Sequence, residues 1–378
     1  MKTNFKQLEK SDFFNFIDLL GEKPYRARQI INWIYKKYAV SIDDMTDISK
    51  DLRETLKEKA FISNLTVIKR EVSEDGTQKF LFELQDKETI ESVLIPNSSD
   101  NFTLCISSQA GCAMGCRFCT TSRLGLIRNL KNYEIVDQVI AVKRILQQSR
   151  GATENRRDKI LKSGISEQKI SNIVFMGMGE PLLNLDEVSK ALWKLTDLMG
   201  FSKRKITVST SGIVPKILEL ANKAPNVNLA VSLNAATDKV RSSIMPVNNK
   251  YPLKKLLQAC REFPLPPNRR ISFEYVMLDK INVSKKDALK LVKLLAGIKS
   301  MVNLIPYNPG KEYSSSRPDN LITPENKKSN SAVELKKPSD ATILEFQRIL
   351  HKAGIATIIR KSKGTDISAA CGQLKAMY

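Results

Sequence analysis

Histidine is nearly absent from this chain of 378 residues, which contains a single one, His351. It lies beside Lys352 near the end of a predicted helix, where a basic side chain meets the partial negative charge of the helix end. We therefore expect His351 to be structural or solvated. The sequence gives no indication of histidine-based catalysis, which excludes the hydrolase and metal sites that depend on several imidazoles.

Long apolar runs are missing as well. The N-terminal segment MKTNFKQLEKSDFFNFIDLLGEK is charged throughout and lacks the apolar core of a signal peptide. No apolar run elsewhere reaches the ~18 residues that indicate a membrane span. The sequence therefore predicts a cytoplasmic protein without a membrane partner. Its six cysteines, three of them clustered, indicate metal-binding or catalytic thiols in a reducing compartment, not a disulfide framework.

Acidic residues are too few to balance the basic ones, because 61 lysines and arginines face 40 aspartates and glutamates, for a net charge of +21. Such a surplus favours a polyanionic partner through phosphate contacts and counterion release, and nucleic acid is the leading candidate. The alternative is a general lysine-rich bias that gives only a solvated cationic surface. Charge alone names no substrate.

The pattern of apolar residues divides the chain into several regions. Helical spacing at the N-terminus predicts a small domain in which Arg26 and Arg28 are possible RNA contacts. Short alternating runs then predict an antiparallel sheet. We expect a helical domain at 1–62, a β extension at 63–100, a core at 101–312, a flexible insertion at 313–338, and a helix, a strand and a tail at 339–378.

Strands and helices alternate through the core. This alternation predicts parallel strands joined by crossover helices, in about six units. A closed barrel has eight units, so we expect an α/β fold of the open, partial barrel type. Two polar stretches, residues 148–169 and 312–340, interrupt the pattern and are predicted to be flexible surface insertions.

The ends of the predicted strands are small, polar or glycine-rich, whereas their bodies are apolar. They include FMGMGEP, STSG, SLNAA and PYNP. Ligands of parallel α/β proteins bind at the carboxyl ends of the strands. We therefore expect one shared rim, with Glu180, Asn234 and Asn308 among its polar groups, to bind a polar cofactor.

The stretch GCAMGCRFC places Cys112, Cys116 and Cys119 within eight residues. A structural zinc site needs four ligands, and the remaining candidates are Cys105, Cys260, Cys371 and His351. Three thiolates with one open position also suit a cubane iron–sulfur cluster whose fourth iron binds a group that is not protein. Both interpretations remain open on the spacing alone.

Several motifs together resemble a known family. CAMGCRFC has the CxxxCxxC spacing of radical S-adenosylmethionine enzymes, and GMGEP resembles the motif that binds the amine of that cofactor. TLCISSQAGCAMGCRFC, FMGMGEPLLN, STSGIVP, SLNA, IMPVN, VNLIPYNP and DISAACGQL are similar to the RlmN family, radical methyltransferases that modify C2 of adenosine in 23S rRNA and tRNA. The resemblance extends from about Gly21 to Leu374 apart from the two insertions.

The resemblance implies an open barrel of the radical S-adenosylmethionine type and a role for each matching residue. The three clustered cysteines, Cys112, Cys116 and Cys119, would hold one 4Fe-4S cluster. Cys371 would carry a methyl group, Cys105 would form a transient disulfide with it, and Glu91 would accept a proton. The implied contacts to S-adenosylmethionine are Gly179, Glu180, Ser209, Ser232, Leu233, Asn234 and Asn308, with Ser211 a less favoured substitute for Ser209.

The same resemblance implies two S-adenosylmethionine molecules per turnover, RNA as substrate (23S rRNA and tRNA) and a one-electron reductant such as flavodoxin or ferredoxin. A monomer is expected. Asn234 stands where many relatives carry histidine, which leaves open whether its side chain contacts the cofactor. Two alternatives remain: the related methyltransferase that acts at C8 of adenosine, and a noncatalytic RNA-binding protein with structural zinc.

Overall fold

The computed structural model describes residues 2–98, 100–151, 169–309 and 334–375. Most of the two predicted insertions, 148–169 and 312–340, lies outside these ranges, and so does most of the expected insertion at 313–338. Within the ranges, none of the helices combines the length and the apolar character that crossing a bilayer requires.

Three helices form the N-terminal region. Its elements are β1 (Thr3–Asn4), α1 (Lys10–Asp18), α2 (Tyr25–Tyr35), α3 (Lys50–Lys59) and β2 (Ala60–Phe61), and β1 pairs with β2 in parallel. Helix α2 follows Pro24 and buries Ala27, Ile30 and Ile34 on one face, as the helical spacing predicts. On its polar side Arg26 lies 3.8 Å from the Glu22 carboxylate, and Arg28 lies over the Phe14 ring.

The strands that follow are antiparallel, as predicted, and they continue into the main sheet of the core. They are β3 (Thr66–Val72), β4 (Gln78–Glu83) and β5 (Thr89–Pro96). Strand β5 pairs antiparallel with β6 (Asn101–Cys105), and β6 pairs on its other side with the first parallel strand of the core. A free edge on β6 would leave backbone groups unpaired, so the extension continues the main sheet.

A β-hairpin carries the cysteine loop between β6 and the next parallel strand. Strand β7 (Gln109–Cys112) pairs antiparallel with β8 (Gly125–Asn129), and the short helix α4 (Thr120–Arg123) lies between them. Helix α5 (Asn132–Gly151) then leads to the core.

The core alternates strands and helices as predicted. Its elements, in chain order, are β9 (Lys169–Phe175), α6 (Leu185–Trp193), β10 (Ile206–Thr210), α7 (Val214–Lys223), β11 (Asn228–Ser232), α8 (Asp238–Ile244), α9 (Val247–Lys250), α10 (Leu253–Glu262), β12 (Ile271–Met277), α11 (Lys285–Leu295), β13 (Ser300–Pro306), α12 (Asp340–Lys352) and β14 (Ala356–Ile359). One sheet of ten strands runs in the order β14-β13-β12-β11-β10-β9-β6-β5-β4-β3.

The sheet is open, with β14 and β3 at its edges, which confirms the partial barrel. The number of parallel strands differs from the prediction. Strand β14 pairs in parallel with β13 and makes a seventh, because helix α12 returns the chain across the sheet before the tail begins. The C-terminal tail therefore starts from the edge of the barrel, at the same end as the rim.

The N-terminal helices share one hydrophobic core with the barrel. A buried ion pair joins the two regions, because the Lys6 ammonium contacts the Asp137 carboxylate on α5, and both side chains are almost fully buried. Lys194 also donates to the Lys6 carbonyl at 2.7 Å. A buried ion pair and apolar packing therefore both hold the N-terminal region against the barrel.

Replacing Lys6 by methionine is expected to destabilise the protein by about 3–5 kcal/mol, since it leaves the Asp137 carboxylate buried without a cation. The double variant Lys6→Met with Asp137→Leu should recover much of that loss. The midpoint of urea unfolding measures both effects. Lys57→Met, which breaks a surface pair with Asp43, serves as the control and should leave the midpoint nearly unchanged. Equal shifts for the single and double variants would contradict the prediction.

Candidate active site

The three clustered cysteines line one cavity at the carboxyl end of the parallel strands. Cys112 ends β7, Cys116 lies in the following loop, and Cys119 directly precedes α4. Burial raises the pKa of the Cys112 thiol to about 11 and raises the pKa of Cys116 further. Both thiols therefore hold their protons at neutral pH until a metal displaces them.

The arrangement of these thiols fits a cluster better than a single ion. Across the described ranges, no three His, Cys, Asp or Glu side chains come together around one possible metal position. Structural zinc needs four ligands at about 2–2.3 Å from one ion, whereas a cubane cluster binds each thiolate to a different iron. Two of the candidate fourth ligands lie elsewhere, because Cys260 is buried inside α10 and the His351 ring contacts the Thr357 carbonyl. Cys371 lines the same cavity as the three thiols.

Glycine is required where the loop after β9 passes the hairpin that carries the cysteines. A Cβ on Gly179, whose φ is +98°, would lie 2.5 Å from the Cβ of Gln109. A Cβ on Gly177 would lie 2.7 Å from the Ile106 backbone. The Gln109 side chain in turn accepts a hydrogen bond from the Glu180 amide at 2.8 Å. Only glycine permits this approach, which forms one wall of the cavity.

Glu180 supplies a buried carboxylate to the cavity. One oxygen accepts a hydrogen bond from the Ser211 amide at 2.6 Å, and the other accepts one from the Leu182 amide at 3.0 Å. Burial raises the pKa of Glu180, and these backbone hydrogen bonds oppose the rise. Each oxygen keeps a further lone pair, which suits the binding of an amino group.

The strand ends meet at one rim, as the sequence predicts. Six of the seven residues implied as S-adenosylmethionine contacts line the cavity: Gly179, Glu180, Ser209, Ser232, Asn234 and Asn308. Ser211 lines it too. Leu233 does not, because its side chain is fully buried behind the strand end.

Asn234 adopts a left-handed backbone conformation, with φ +57°. Its side-chain oxygen accepts a hydrogen bond from the Val276 amide at 2.8 Å, and its side-chain nitrogen lies 3.1 Å from the Met245 sulfur. Both polar ends of this side chain are therefore bonded within the protein. Asparagine tolerates this backbone conformation better than most residues, which is a structural reason for asparagine at position 234.

A second cavity, of about 440 Å³, adjoins the first and contains the two remaining thiols of interest. Cys105 ends β6, opposite Val93 of β5, and Cys371 comes from the C-terminal tail. Cys371 and Cys119 line both cavities. The structure thus brings two thiols that are far apart in sequence to the same place, beside the cysteine loop.

Neither thiol is oxidised in the structure, in which all six cysteines are free. The predicted Cys105–Cys371 disulfide is therefore absent from this form of the protein. Desolvation raises the pKa of both thiols, and the Arg360 guanidinium opposes the shift. Arg360 lines the second cavity and is the cation placed to stabilise a thiolate there.

Backbone hydrogen bonds hold the tail against the cysteine loop. The Thr120 amide donates to the Gly372 carbonyl and the Thr121 hydroxyl donates to the Leu374 carbonyl, each at 2.7 Å. The Gln373 side chain donates to the Pro309 carbonyl, also at 2.7 Å. The tail therefore folds over the barrel mouth and presents Cys371 to both cavities.

Glu91 lies apart from these residues and lines neither cavity. It is buried, its carboxylate lies 3.3 Å from the Lys79 ammonium, and it accepts a hydrogen bond from the Lys375 amide at 2.7 Å. The strand places it two residues from Val93, which does line the second cavity. The tail thus covers the one carboxylate that the sequence proposes as a proton acceptor.

Two arginines near the cavities were missed by the sequence analysis. Arg360 directly follows β14, so the rule that ligands bind at strand ends would have found it had this strand been placed in the sheet. Arg241 lies inside helix α8 and is fully buried. No sequence signal separates it from the many surface arginines and lysines.

Comparison with known proteins agrees with this geometry. Residues 3–62 match the family model described as the ribosomal RNA large subunit methyltransferase N-terminal domain, and residues 106–292 match the radical SAM superfamily. A crystal structure of a radical SAM methyltransferase from Sphaerobacter thermophilus is 38% identical and superposes with a TM-score of 0.83, covering 99% of this chain and 100% of that one.

Curated relatives are similar over nearly their whole length. The dual-specificity RNA methyltransferase RlmN of Pelobacter propionicus is 46% identical over 376 residues, which are 99% of this chain and 96% of the relative. The protein of the same name from Geobacter sulfurreducens is 46% identical over 374 residues, which are 98% of this chain and 92% of the relative. This chain therefore belongs to the RlmN family of the radical SAM superfamily.

Proposed function

We propose that the protein methylates C2 of adenosine in 23S rRNA and in tRNA, with Cys371 as the carrier of the methyl group. The observation that supports this most directly is the position of Cys371. It lines both the cavity of the cysteine loop and the cavity that contains Cys105. Only a residue between the two is able to take a group from a cofactor on one side and deliver it to a base on the other.

The first cavity is the proposed cofactor site. Cys112, Cys116 and Cys119 would hold one 4Fe-4S cluster, and the Glu180 carboxylate would bind the amino group of S-adenosylmethionine. When bound, the reduced cluster and two S-adenosylmethionine molecules per turnover supply the methyl group and a radical that abstracts hydrogen. The proposed contacts to S-adenosylmethionine are Gly179, Glu180, Ser209, Ser232, Asn234 and Asn308, together with Leu233 through its backbone alone, since its side chain does not line the cavity.

Cys371 solves a chemical problem posed by the substrate. C2 of adenine is not nucleophilic, so it cannot take a methyl group by direct displacement, whereas a thiolate does so readily. Desolvation raises the pKa of Cys371, and the positive charge of Arg360 favours its thiolate. Once a hydrogen has been removed from the methyl group on the Cys371 sulfur, the carbon of that group adds to C2.

Cys105 releases the product. Addition to C2 leaves the RNA joined to the protein through the Cys371 sulfur. The adduct must first lose one electron, which the bound cluster would take back, and the C2 proton. Attack of the Cys105 thiolate on the Cys371 sulfur then breaks the bond between sulfur and the methylene carbon, which takes up a proton to become the methyl group of the product. A Cys105–Cys371 disulfide is left, which thiols of the cell reduce. Both side chains line the second cavity, so no domain movement is needed to bring them together. A one-electron reductant such as flavodoxin or ferredoxin is the further partner.

Glu91 is the proposed acceptor of the C2 proton. The Lys79 ammonium lies 3.3 Å from one oxygen of its carboxylate. In the structure its other oxygen is occupied by the Lys375 amide. Release of this one hydrogen bond by the last residues of the tail would open Glu91 to the substrate.

The second cavity is the proposed site of the adenosine. A base inside folded RNA must leave its stack before C2 can be reached, and a pocket at the protein surface receives it. Arg360, Lys361 and Lys363 line this pocket, and the chain carries a net charge of +21. Phosphates on either side of a flipped base would contact these cations, so part of the net positive charge would bind the RNA backbone at this pocket.

Cys371→Ala is expected to abolish methylation, because the other described thiol that lines both cavities, Cys119, is assigned to the cluster. The protein would be purified without oxygen, reconstituted with iron and sulfide, and incubated with S-adenosylmethionine, a one-electron reductant and unmodified rRNA fragment or tRNA. Mass spectrometry of the nucleosides should show 2-methyladenosine for the wild type and none for the variant. Cys260→Ala, which changes a buried thiol outside both cavities, is the matched control and should remain active.

Other products of this assay would change the assignment. Methylation at C8 would assign the related C8 activity, and bound zinc without any dependence on S-adenosylmethionine would indicate a binding module. A Cys371→Ala variant that still forms 2-methyladenosine would refute the proposed carrier.

Cys105→Ala should stop the reaction after the RNA has become attached to the protein, since the thiol that breaks the link is missing. A denaturing gel should show the RNA and the protein migrating together. The covalent species should depend on Cys371 and be absent from the double variant. Wild-type yields of free 2-methyladenosine from Cys105→Ala would exclude the proposed release step.

Glu91→Gln removes the proposed base but retains an oxygen that accepts from the Lys375 amide. We expect formation of 2-methyladenosine to fall on the order of 10²–10⁴-fold, the usual contribution of a general base. Methylation of Cys371 itself, measured from the mass of the intact protein, should continue. Glu71→Gln, which alters the other carboxylate beside Lys79, is the control. Equal activity of the two variants would remove Glu91 from the mechanism.

A further inference from the structure

Arg241 is a fully buried cation on helix α8, behind the strand ends that form the cofactor cavity. Its guanidinium donates to the Ser211 carbonyl at 2.6 Å, the Ser232 carbonyl at 3.0 Å and the Leu233 carbonyl at 3.0 Å. A fourth hydrogen bond reaches the Asn248 side-chain oxygen at 3.1 Å. All four acceptors are neutral oxygens, and three of them belong to the ends of β10 and β11.

The charge of Arg241 has no directly bonded counterion. In the part of the chain that the structure describes, no carboxylate accepts a hydrogen bond from it, and Asp238 is reached only through the Asn248 side chain. Burial lowers the pKa of Arg241 to about 10, which still leaves it charged at neutral pH. A buried charge without a partner is costly, so its retention calls for an explanation beyond packing.

The hydrogen bonds of Arg241 fix the backbone around the cavity. Its guanidinium holds the Ser232 and Leu233 carbonyls, while the Glu274 carbonyl holds the Leu233 and Asn234 amides from the other side. The Ser211 carbonyl is held by Arg241, and the Ser211 amide is held by the Glu180 carboxylate. One side chain thus sets the position of two strand ends and, through Ser211, of the buried carboxylate.

The same charge acts on the cysteine loop. Helix α8, which carries Arg241, contacts this loop directly, because the amide of Arg117, the residue after Cys116, donates to the Ile244 carbonyl at 3.0 Å. A cluster held by thiolates gains one negative charge when it is reduced, and a fixed positive charge nearby favours the reduced form.

We propose that Arg241 is a positioning residue for S-adenosylmethionine and stabilises the reduced cluster by its charge. It does not line the cavity, so it acts through the strand ends and through space. The inference rests on the proposed function, because it assumes that the cluster and S-adenosylmethionine bind in this cavity.

Two variants separate the hydrogen bonds from the charge. Arg241→Lys keeps a cation but loses the fork that reaches three carbonyls, and Arg241→Gln keeps an amide donor but loses the charge. Both should weaken S-adenosylmethionine binding on the order of tenfold, the loss of about one charge-assisted hydrogen bond. Only Arg241→Gln should move the midpoint potential of the cluster to more negative values, measured by redox titration with electron paramagnetic resonance.

Lys194→Gln is the matched control. Lys194 is also a buried cation held by backbone carbonyls, those of Lys6 and Gln7, but it lies outside the cofactor cavity. The control should lower the unfolding midpoint and leave both the affinity for S-adenosylmethionine and the potential unchanged. An equal loss of affinity in Lys194→Gln would show that the effect of Arg241 is general destabilisation and would overturn the proposal.

Wild-type affinity and potential in folded Arg241→Lys and Arg241→Gln would overturn it as well. If Arg241→Gln does not fold, Arg241→Lys alone tests the proposal, because it retains the buried charge. Weaker binding of S-adenosylmethionine at an unchanged cluster potential would then support the proposal, and wild-type binding would refute it. A wild-type protein that takes up neither the cluster nor S-adenosylmethionine would instead refute the proposed function, and this inference with it.

Discussion

The docking of the C-terminal tail on the cysteine loop is the interaction on which the active site depends. Thr120 and Thr121 follow the last clustered cysteine directly, and both donate hydrogen bonds to tail carbonyls. These two contacts are to backbone oxygens of the tail, and the Gln373 side chain adds a third through the Pro309 carbonyl. The result is a thiol from the tail at the junction of the two cavities.

Two cations support this junction in different ways. Arg360 lines the second cavity together with Cys105 and Cys371, whereas Arg241 lies behind the first cavity and donates to backbone carbonyls. Under the proposed function, each cation would lie where the reaction creates negative charge, a thiolate in one case and a reduced cluster in the other. Arg241 is fully buried, so little solvent screens its charge.

The sequence was sufficient for the features that depend on local spacing. The CxxxCxxC loop, the glycines after β9 and the polar strand ends all come together as predicted, since parallel strands bring their carboxyl ends to one edge. Features that depend on distant partners were not predictable. The antiparallel strands join the barrel through β6, Leu233 turns away from the cavity, and Glu91 is covered by the Lys375 amide. The role proposed for Arg241 depends on its hydrogen bonds to carbonyls at the ends of two strands, and no local sequence pattern predicts these hydrogen bonds.

The short connection between Cys119 and Thr120 links metal chemistry to the placement of the methyl carrier. The Thr120 amide and the Thr121 hydroxyl both donate to tail carbonyls, so the tail is bonded to the residues that directly follow a proposed cluster ligand. A change in the shape of the cysteine loop therefore also moves Cys371. The carrier and the cluster site are built as one unit, so a substitution that distorts the loop would impair both steps of the proposed reaction at once.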